Sequence, residues 1–560
     1  MTLRTALPRL ACLLLAALPA LPAPAFAQTP SVSDIVTKVN QTESALVTQM
    51  QKLKPMVEVY IQNLSNDPSI GLVPQEDSYL LGRFEWRRGP RLLTVSGGKD
   101  APRFEGAGRK ADLEYIPDGF VAMMSADWDG LSERRYEFTL VRREFLGEAR
   151  CYVLDVRPKK NIEDGFAGRI WVEDTGYHIV RFNGINRRLE RMAFRKKVAF
   201  HVDTWRTNVT PGLWVPTYLY IEEVDADDAA AETTAMRFKS QVRLWGYDPQ
   251  HAEKRATFTS IEINEPSIQD QARPEQQLSP VESQRRWEKE AEENVLLRLE
   301  KAQLVGIPGD VEKVLETVLN NLLVTNEIVL DRPVHARVLL TSPFESFTIG
   351  HTIVLSRGLV DVLPDEGSLA MMMAHELAHI VLGHPLVNSQ FAFADRMMVD
   401  DEALLKTLKT TRDAKQETAA DAKVLEMLKK SPYADKLVNA GLFLKLIAAR
   451  SKALPNLIQP HIGDHISDGG PTVRLSELMD KAPALEMENL DQVAALPLGA
   501  RLVLDPWTGK LSLLRSATSF QVSTVREKVP LVVTPLTPFL KYATDDAGAP
   551  AKTAPATAGK

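Results

Sequence analysis

The sequence His-Glu-Leu-Ala-His at positions 375–379 restricts the fold of this chain more than any other stretch. On a helix, the four-residue spacing places the imidazoles of His375 and His379 on one face, about one turn apart. Two imidazoles in this arrangement can chelate one tetrahedral metal ion, and Glu376 projects beside that position, where it can hold a water molecule. We therefore expect this stretch to be helical and to carry a metal site.

The residues on either side of this motif are apolar over a predicted helix at 366–383. Leu369 and three consecutive methionines precede the motif, and Ile380 and Val381 follow it. On a helix that is apolar on most sides, three polar side chains are costly to bury unless they are paired or bind a metal. The apolar flanks therefore favour a metal site over the alternative, a solvated helix face with two hydrogen-bonded histidines.

A second pair of polar residues, Glu417 and Asp421, lies four positions apart in a later stretch that is compatible with a helix. Two histidines leave a catalytic zinc ion one protein ligand short, and a carboxylate from a second helix completes a His₂Glu set. A carboxylate one turn further on can accept the free N–H of a ligand imidazole. Taken alone, this pair would be an ordinary surface charge pattern, so its meaning depends on the first motif.

Together, the two motifs resemble the zinc metallopeptidase family of the CAAX prenyl protease and HtpX, which carries His-Glu-x-x-His on one helix and Glu-x-x-x-Asp on a later one. Residues 347–359 also resemble the strand and Gly-Leu turn that precede the metal helix in that family. The resemblance covers about residues 306–480. It implies an α-helical zincin core with a small sheet whose edge strand aligns peptide substrates.

The resemblance implies a role for each residue of the two motifs. It makes His375, His379 and Glu417 the ligands of one zinc ion per chain. It makes Glu376 the general base and Asp421 the supporting carboxylate. The implied reaction is the hydrolysis of peptide bonds, in which the metal and Glu376 together activate a water molecule.

Three further residues are candidates outside these motifs. His384 matches a histidine that commonly follows the motif in the family, but it lies off the chelating face, so we interpret it as a structural or rim residue. The family usually has His-Pro followed by Arg near the site, whereas here His465 and Pro471 are separated before Arg474. His465 and Arg474 either stabilise an oxyanion or cover the metal, or they belong to a surface loop.

The first 27 residues resemble a secretory signal peptide. Arg4 and Arg9 form the positive start, residues 10–21 form the apolar stretch, and cleavage is expected after Ala27. An uncleaved anchor is the alternative, but two prolines interrupt an apolar run that is short for a bilayer. We therefore expect a periplasmic or secreted protein.

The region before residue 265 has the pattern of an antiparallel β domain. Apolar residues at helical spacing within 31–64 predict one or two amphipathic helices. From about 80 to 262, short β-like runs alternate with turn signals, and no helical crossover intervenes. The runs at 168–174, 179–182 and 212–216 resemble the open half-barrel of bacterial lipoprotein-carrier proteins of the LolA type, which bind acyl chains, and the resemblance covers roughly residues 31–262. The alternative is an unrelated β scaffold.

The predicted fold class is α+β, with an antiparallel β domain similar to an open half-barrel followed by an α-helical zincin-type domain with a small sheet. A stretch rich in Pro, Gln, Glu and Ser separates the two domains, as is typical of a linker. The expected divisions are a signal peptide at 1–27, a helix plus antiparallel β domain at 28–264, a linker at 265–285, a zinc metalloprotease domain at 286–497, a small β appendage at 498–542 and a disordered tail at 543–560.

Composition narrows the range of partners. The formal net charge is -6, with basic and acidic residues interspersed, so we expect no nucleic-acid-binding face. Beyond the signal segment, no stretch offers the roughly 18 apolar residues that a membrane span requires. Within the family, the chain is therefore most similar to the soluble periplasmic BepA-like branch, which polices outer-membrane assembly.

These features predict an exported zinc-dependent endopeptidase that acts on protein or peptide substrates in envelope protein quality control. Outer-membrane assembly components or acyl chains are expected as further partners. One alternative is a lipid- or lipoprotein-binding carrier with an accessory or latent metal domain. Another is a structural zinc protein, which the intact Glu376 disfavours because a structural site needs no base.

Overall fold

A computed structural model describes most of both predicted domains. The described residues are 30–67, 71–86, 90–96, 121–160, 162, 165–188, 198–224, 238–247, 280–384, 412–458, 475–486, 502–504 and 511–513. Among them, no helix combines the length and apolarity that crossing a membrane requires. The predicted signal peptide, the predicted tail and most of the predicted linker lie outside these residues.

The N-terminal region consists of helix α1 at Val32–Leu53 and an open antiparallel sheet of ten strands. The strands are β1 at Met56–Asp67, β2 at Gly71–Trp86, β3 at Pro90–Ser96, β4 at Tyr136–Leu146, β5 at Ala149–Pro158, β6 at Gly165–Glu173, β7 at Ile179–Arg188, β8 at Val198–Thr210, β9 at Leu213–Val224 and β10 at Phe238–Trp245. Their order is β3-β2-β1-β10-β9-β8-β7-β6-β5-β4, so β3 and β4 form the two ends of the open sheet.

The sheet begins earlier in the chain than the sequence pattern predicts. Residues 56–64 belong to β1, so the helical prediction for this part of 31–64 is wrong. Val57, Val59 and Ile61 are all buried on one face, which is the two-residue period of a strand. A short apolar run is compatible with both periods, and pairing with β2 and β10 on either side decides in favour of the strand.

Both faces of the sheet are buried near β1. On the face that we call the inner face, Val59 packs with Ile35 and Val39 of α1 in one apolar cluster. On the opposite, outer face, Met56 and Tyr60 join a second cluster that consists mainly of residues from the C-terminal region. The sheet therefore packs against α1 on one side and against the C-terminal region on the other.

The C-terminal region is mainly helical. Its helices are α2 at Pro280–Lys301, α3 at Asp310–Thr325, α4 at Arg357–Val362, α5 at Glu366–Val381, α6 at Ala414–Lys430, α7 at Leu437–Arg450, α8 at Pro455–Ile458 and α9 at Ser476–Lys481. A small sheet of order β11-β13-β12 is formed by β11 at His335–Leu339, β12 at Ser346–Ile349 and β13 at Thr352–Ser356. A separate antiparallel pair is formed by β14 at Leu502–Leu504 and β15 at Leu511–Leu513. These elements confirm the predicted α+β class.

Helix α5 lies at the centre of the C-terminal core. It packs against α3, α6, α7 and strand β12. Every residue from 370 to 379 is buried, which is the pattern of a core helix rather than of an amphipathic surface helix. The His-Glu-x-x-His motif therefore lies inside the protein.

The buried carboxyl group of Asp77 joins the outer face of the sheet to the C-terminal region. It accepts hydrogen bonds from the backbone N–H groups of Asn456 at 2.9 Å and Leu457 at 2.8 Å. The Tyr60 hydroxyl donates a third bond at 3.1 Å. Desolvation outweighs these bonds and raises the pKa of the Asp77 carboxyl from 3.8 to about 6.

This raised pKa predicts that the stability of the protein depends on pH through Asp77. Because the folded state holds the proton more tightly, the stabilisation is complete below about pH 4 and is lost as the pH rises through about 6. At about 1.4 kcal/mol per pKa unit, wild type should lose about 3 kcal/mol relative to Asp77→Asn between pH 4 and pH 7. Urea unfolding of both proteins across this range measures the effect, and a constant difference between them would contradict it.

Candidate active site

Helix α5 brings the first three site residues into the core in fixed positions. The Asp365 side chain caps the helix by accepting a hydrogen bond from the Ser368 backbone N–H at 2.8 Å. Three turns later, His375, Glu376 and His379 have no exposed surface. Their neighbours on the helix are alanines, methionines and leucine, so only other polar groups or a metal can compensate for their desolvation.

Helix α6 supplies two carboxylates from the first turns of a second helix. Asp413 caps it by accepting from the Lys415 and Gln416 backbone N–H groups, and Gln416 bonds back to the Asp413 N–H. Glu417 and Asp421 follow on one face, one turn apart. Both side chains are partly buried where α6 packs against α5.

Three donor atoms converge between these two helices. The Nε2 atom of His375 lies 3.1 Å from His379 Nε2 and 3.1 Å from Glu417 Oε2. The other oxygen of this carboxylate, Glu417 Oε1, lies 3.6 Å from His379 Nε2, and one donor atom from each of the three residues lies within 4.8 Å of the other two. We call this set of three donors the donor triangle. Ligand atoms held 2.0–2.1 Å from a zinc ion at tetrahedral angles lie about 3.3 Å apart. The size and chemistry of this donor set therefore fit one such ion.

Asp421 lies behind His375, on the side of the ring away from the donor triangle. Its Oδ1 atom is 3.1 Å from His375 Nδ1, and its Oδ2 atom accepts a hydrogen bond from the Leu475 backbone N–H at 3.0 Å. A proton on Nδ1 directs the lone pair of Nε2 toward the triangle. This geometry is what the predicted supporting role of Asp421 requires, and the role itself stays a prediction.

His384 stands in the same relation to His379. Gly383 adopts a positive φ of 64° just after α5, and this turn folds the chain back. His384 Nδ1 then lies 2.9 Å from His379 Nδ1. Burial, followed by the charge of Arg412, lowers the pKa of His384, which favours a neutral ring that can accept the proton of His379 Nδ1. The spacing of His384 from His379 predicts only a structural or rim residue. Gly383 is the sequence signal that could have indicated the turn that brings the two rings together.

Two residues that the sequence does not single out contact Glu376. The Ser346 hydroxyl, at the start of β12, donates to Glu376 Oε1 at 2.7 Å. The guanidinium of Arg412, which is almost fully buried, lies 3.9 Å from Glu376 Oε2 and also donates to Thr348 of β12. Neither contact is visible in a local pattern, because both join segments that are distant in the sequence.

The remaining two predicted site residues, His465 and Arg474, lie outside the described residues. Their predicted roles stay predictions. Within the described part of the chain, the site thus brings together all the residues of the two motifs and adds Ser346, His384 and Arg412.

The fold and the donor set together define a metallopeptidase type of site, with His-Glu-x-x-His on one helix and a carboxylate ligand on the next. Comparison with protein families agrees. Residues 312–461 match Peptidase family M48, so the chain contains a domain of this peptidase family. This match covers the three donor residues and both helices that carry them. The predicted likeness to the BepA-like branch stays a prediction.

Other comparisons concern the N-terminal region or find nothing. No curated protein sequence matches the chain. A structure of an outer membrane lipoprotein-sorting protein domain from Vibrio parahaemolyticus covers 40% of this chain and 98% of its own, with 9% identity and a TM-score of 0.18. A LolA superfamily protein from Nitrosomonas europaea covers 39% and 92%, with 12% identity and a TM-score of 0.18. The Pseudomonas aeruginosa MucA/MucB complex covers 40% and 95%, with 9% identity and a TM-score of 0.13. At these TM-scores, no functional argument rests on the similarity.

The donor triangle predicts that each of its three residues is needed to hold zinc. His375→Ala, His379→Ala and Glu417→Ala each remove one of the converging atoms, so zinc content after dialysis should fall well below one ion per chain. Elemental analysis by mass spectrometry measures this. Glu426→Gln, on the exposed side of the same helix, is the matched control and should retain full zinc. Full occupancy in the Glu417→Ala variant would rule out Glu417 as a ligand.

The position of Asp421 predicts a weaker, graded effect. In Asp421, one carboxylate oxygen contacts His375 Nδ1 and the other accepts the Leu475 N–H. Asp421→Asn keeps only one oxygen for these two contacts, and it removes the negative charge beside the protonated Nδ1. We expect zinc affinity to fall about 10–100-fold while stoichiometric binding persists at high zinc. Competition titration with a fluorescent chelator gives the affinity. An unchanged affinity would contradict the supporting role.

Proposed function

We propose that this protein is an exported zinc-dependent endopeptidase. The observation that carries the proposal is the convergence of two imidazole nitrogens and a carboxylate oxygen within 4.8 Å of one another, beside a buried glutamate. The Peptidase family M48 domain at 312–461 supports a peptidase that uses a metal. Zinc, cleavage within a chain rather than at its ends, and export are parts of the proposal.

The residues of the chain have separate tasks in the proposed reaction. When bound at the donor triangle, zinc would polarise the scissile carbonyl and acidify the attacking water. Glu376 accepts the proton of that water and later delivers it to the leaving amine. Ser346 holds one oxygen of Glu376 in place. His384 and Asp421 keep the two ligand imidazoles in the correct tautomer and orientation.

Strand β12 supports a mode of substrate binding. It pairs antiparallel with β13 and, among the described residues, has no strand on its other side. Ser346 places the start of β12 beside Glu376. A peptide that adds to this edge in an extended conformation would pass the catalytic base, and its main chain rather than its sequence would supply most of the binding. We therefore propose extended protein segments as the substrate class.

The cellular role is proposed from the sequence. The predicted signal peptide motivates a periplasmic or extracellular location. A peptidase that accepts extended segments in that compartment suits envelope protein quality control, with outer-membrane assembly components as candidate partners. Fractionation of cells and detection of a mature chain that starts near residue 28 would test the location.

The described residues of the N-terminal region line a cavity beside α1. This cavity, of about 90 Å³, remains between α1, the segment around Trp128 and strands β8 and β9. Arg206 and Glu43, paired in two hydrogen bonds, lie at its wall. The lipid- or lipoprotein-binding carrier stays a prediction.

The proposed function predicts that chemistry and metal binding can be separated at Glu376. Glu376→Gln keeps the size of the side chain and all three donor atoms, so zinc content and folding should be unchanged. The base is lost, and hydrolysis of an unfolded casein substrate should slow at least about 100-fold. Glu426→Gln again provides a matched control for the loss of a carboxylate. If purified Glu376→Gln, free of contaminating peptidase, still hydrolysed casein, Glu376 would not be the base and the proposed function would be refuted.

A further inference from the structure

A buried polar network joins the outer face of the N-terminal sheet to the peptidase domain. Glu58 of β1, which is 1% exposed, accepts hydrogen bonds from the Ser342 backbone N–H at 2.5 Å and the Ser342 hydroxyl at 2.7 Å. The Tyr79 hydroxyl donates to it at 2.9 Å and the Arg357 guanidinium at 3.3 Å. One carboxylate of the sheet therefore holds two separate segments of the peptidase domain.

The charges in this network make Glu58 hard to replace. Arg243 of β10 donates to the Ser342 hydroxyl at 2.9 Å, and Arg357 reaches the same oxygen at 3.2 Å. Both guanidiniums are buried, and burial followed by the charge of Arg243 lowers the pKa of Arg357 to about 10. Glu58 is the carboxylate that the hydroxyl and Arg357 both contact. Without its charge, the buried Arg357 guanidinium would lose one of the two carboxylates, Glu58 and Asp361, that stabilise it.

Ser342 begins a short buried segment that leads into the active site. The Phe344 N–H donates to the Leu457 carbonyl at 2.7 Å, and the Glu345 N–H donates to the Ser356 hydroxyl at 3.1 Å. Leu457 is itself bonded to Asp77 of the sheet through its N–H. Segment 342–345 is therefore fixed by the sheet at its start and, through Leu457, near its end.

The next residue in the chain is Ser346, the first residue of β12. Its hydroxyl donates to Glu376 Oε1 at 2.7 Å, and both residues are fully buried. A displacement of segment 342–345 would move this hydroxyl relative to the carboxylate. Because a misplacement of about 1 Å can cost about 100-fold in rate, the position of the segment matters for catalysis.

We propose that Glu58 is a positioning residue of the peptidase, which sets the orientation of Glu376 through Ser342 and Ser346. The inference rests on the proposed function, because it assigns Glu376 as the base. It makes the N-terminal sheet part of the catalytic apparatus rather than an independent module. Glu58 touches neither the metal ligands nor the substrate edge, and it acts only through the segment that it holds.

A double-mutant cycle on the full-length mature protein tests this route. Glu58→Gln removes the charge and one acceptor, and Ser346→Ala removes the hydroxyl at Glu376. Each should lower kcat about 10-fold and change KM less than about 2-fold, since a hydrogen bond to a charged group is worth about that factor. If both act through one route, the double variant should be no slower than the slower single variant. Losses that multiply in the double variant would overturn the inference.

A matched control separates positioning from general stability. Arg83 also crosses the interface, where it donates to the Ala302 carbonyl just after α2. Arg83→Met should lower the unfolding temperature and leave kcat unchanged. Zinc content is measured for every variant and should stay at one ion per chain. A fall in kcat of Arg83→Met equal to that of Glu58→Gln would reduce the role of Glu58 to stability alone.

A gentler variant covers the case in which Glu58→Gln does not fold. Ser342→Ala removes the hydroxyl but keeps the backbone N–H bond to Glu58, and it should lower kcat about 3-fold at constant KM. It should also be non-additive with Ser346→Ala, and full activity of Ser342→Ala would overturn the inference. Failure of the proposed function looks different, because Glu376→Gln would then retain hydrolysis. If Glu376→Gln abolishes hydrolysis but the effects of Glu58→Gln and Ser346→Ala on kcat multiply, only the positioning role of Glu58 is refuted.

Discussion

The site depends on the burial of two imidazole nitrogens and a carboxylate oxygen against one another. His375 and His379 have no exposed surface, and their Nε2 atoms point at each other from 3.1 Å. Two nitrogen lone pairs and a carboxylate at this distance repel one another unless a cation lies between them or protons are shared. The arrangement of the elements suits such a cation. Helix α5 supplies both imidazoles, α6 supplies Glu417 and Asp421, and the chain after Gly383 supplies His384.

A second set of polar groups surrounds the two imidazoles and Glu376. Asp421 contacts the Nδ1 atom of His375, and His384 contacts the Nδ1 atom of His379. Ser346 donates a hydrogen bond to Glu376. Each of these groups is itself held: Asp421 by the Leu475 N–H, and Ser346 by its place at the start of β12. Groups that are fixed in this way need little reorganisation during a reaction, which is the condition under which polar residues contribute most to rate.

The N-terminal sheet and the peptidase domain are in direct contact. Strand β1 sends alternate side chains into two different cores, one with α1 and one with the peptidase domain. Glu58 and Asp77 add buried hydrogen bonds to this apolar contact, and both bind backbone N–H groups of the same neighbourhood around segment 342–345. Buried carboxylates are costly unless all their partners are present, so this interface favours one relative arrangement of the sheet and the peptidase domain.

The sequence alone determined the α+β class, a helix that begins at 366 and carries the first motif, a helix around 417–421, and the residues of both motifs, because these follow from local periodicity and from spacing on a helix. The first of these helices ends at Val381, two residues before the predicted end at 383. It did not determine that residues 56–64 form a strand, because a short apolar run fits either period until neighbouring strands pair with it. The contacts of Ser346, His384 and Arg412 and the network around Glu58 were also decided by the tertiary structure. Most of these contacts join residues that are far apart in the chain, up to 299 positions between Glu58 and Arg357, and such contacts exist only once packing has brought the segments together.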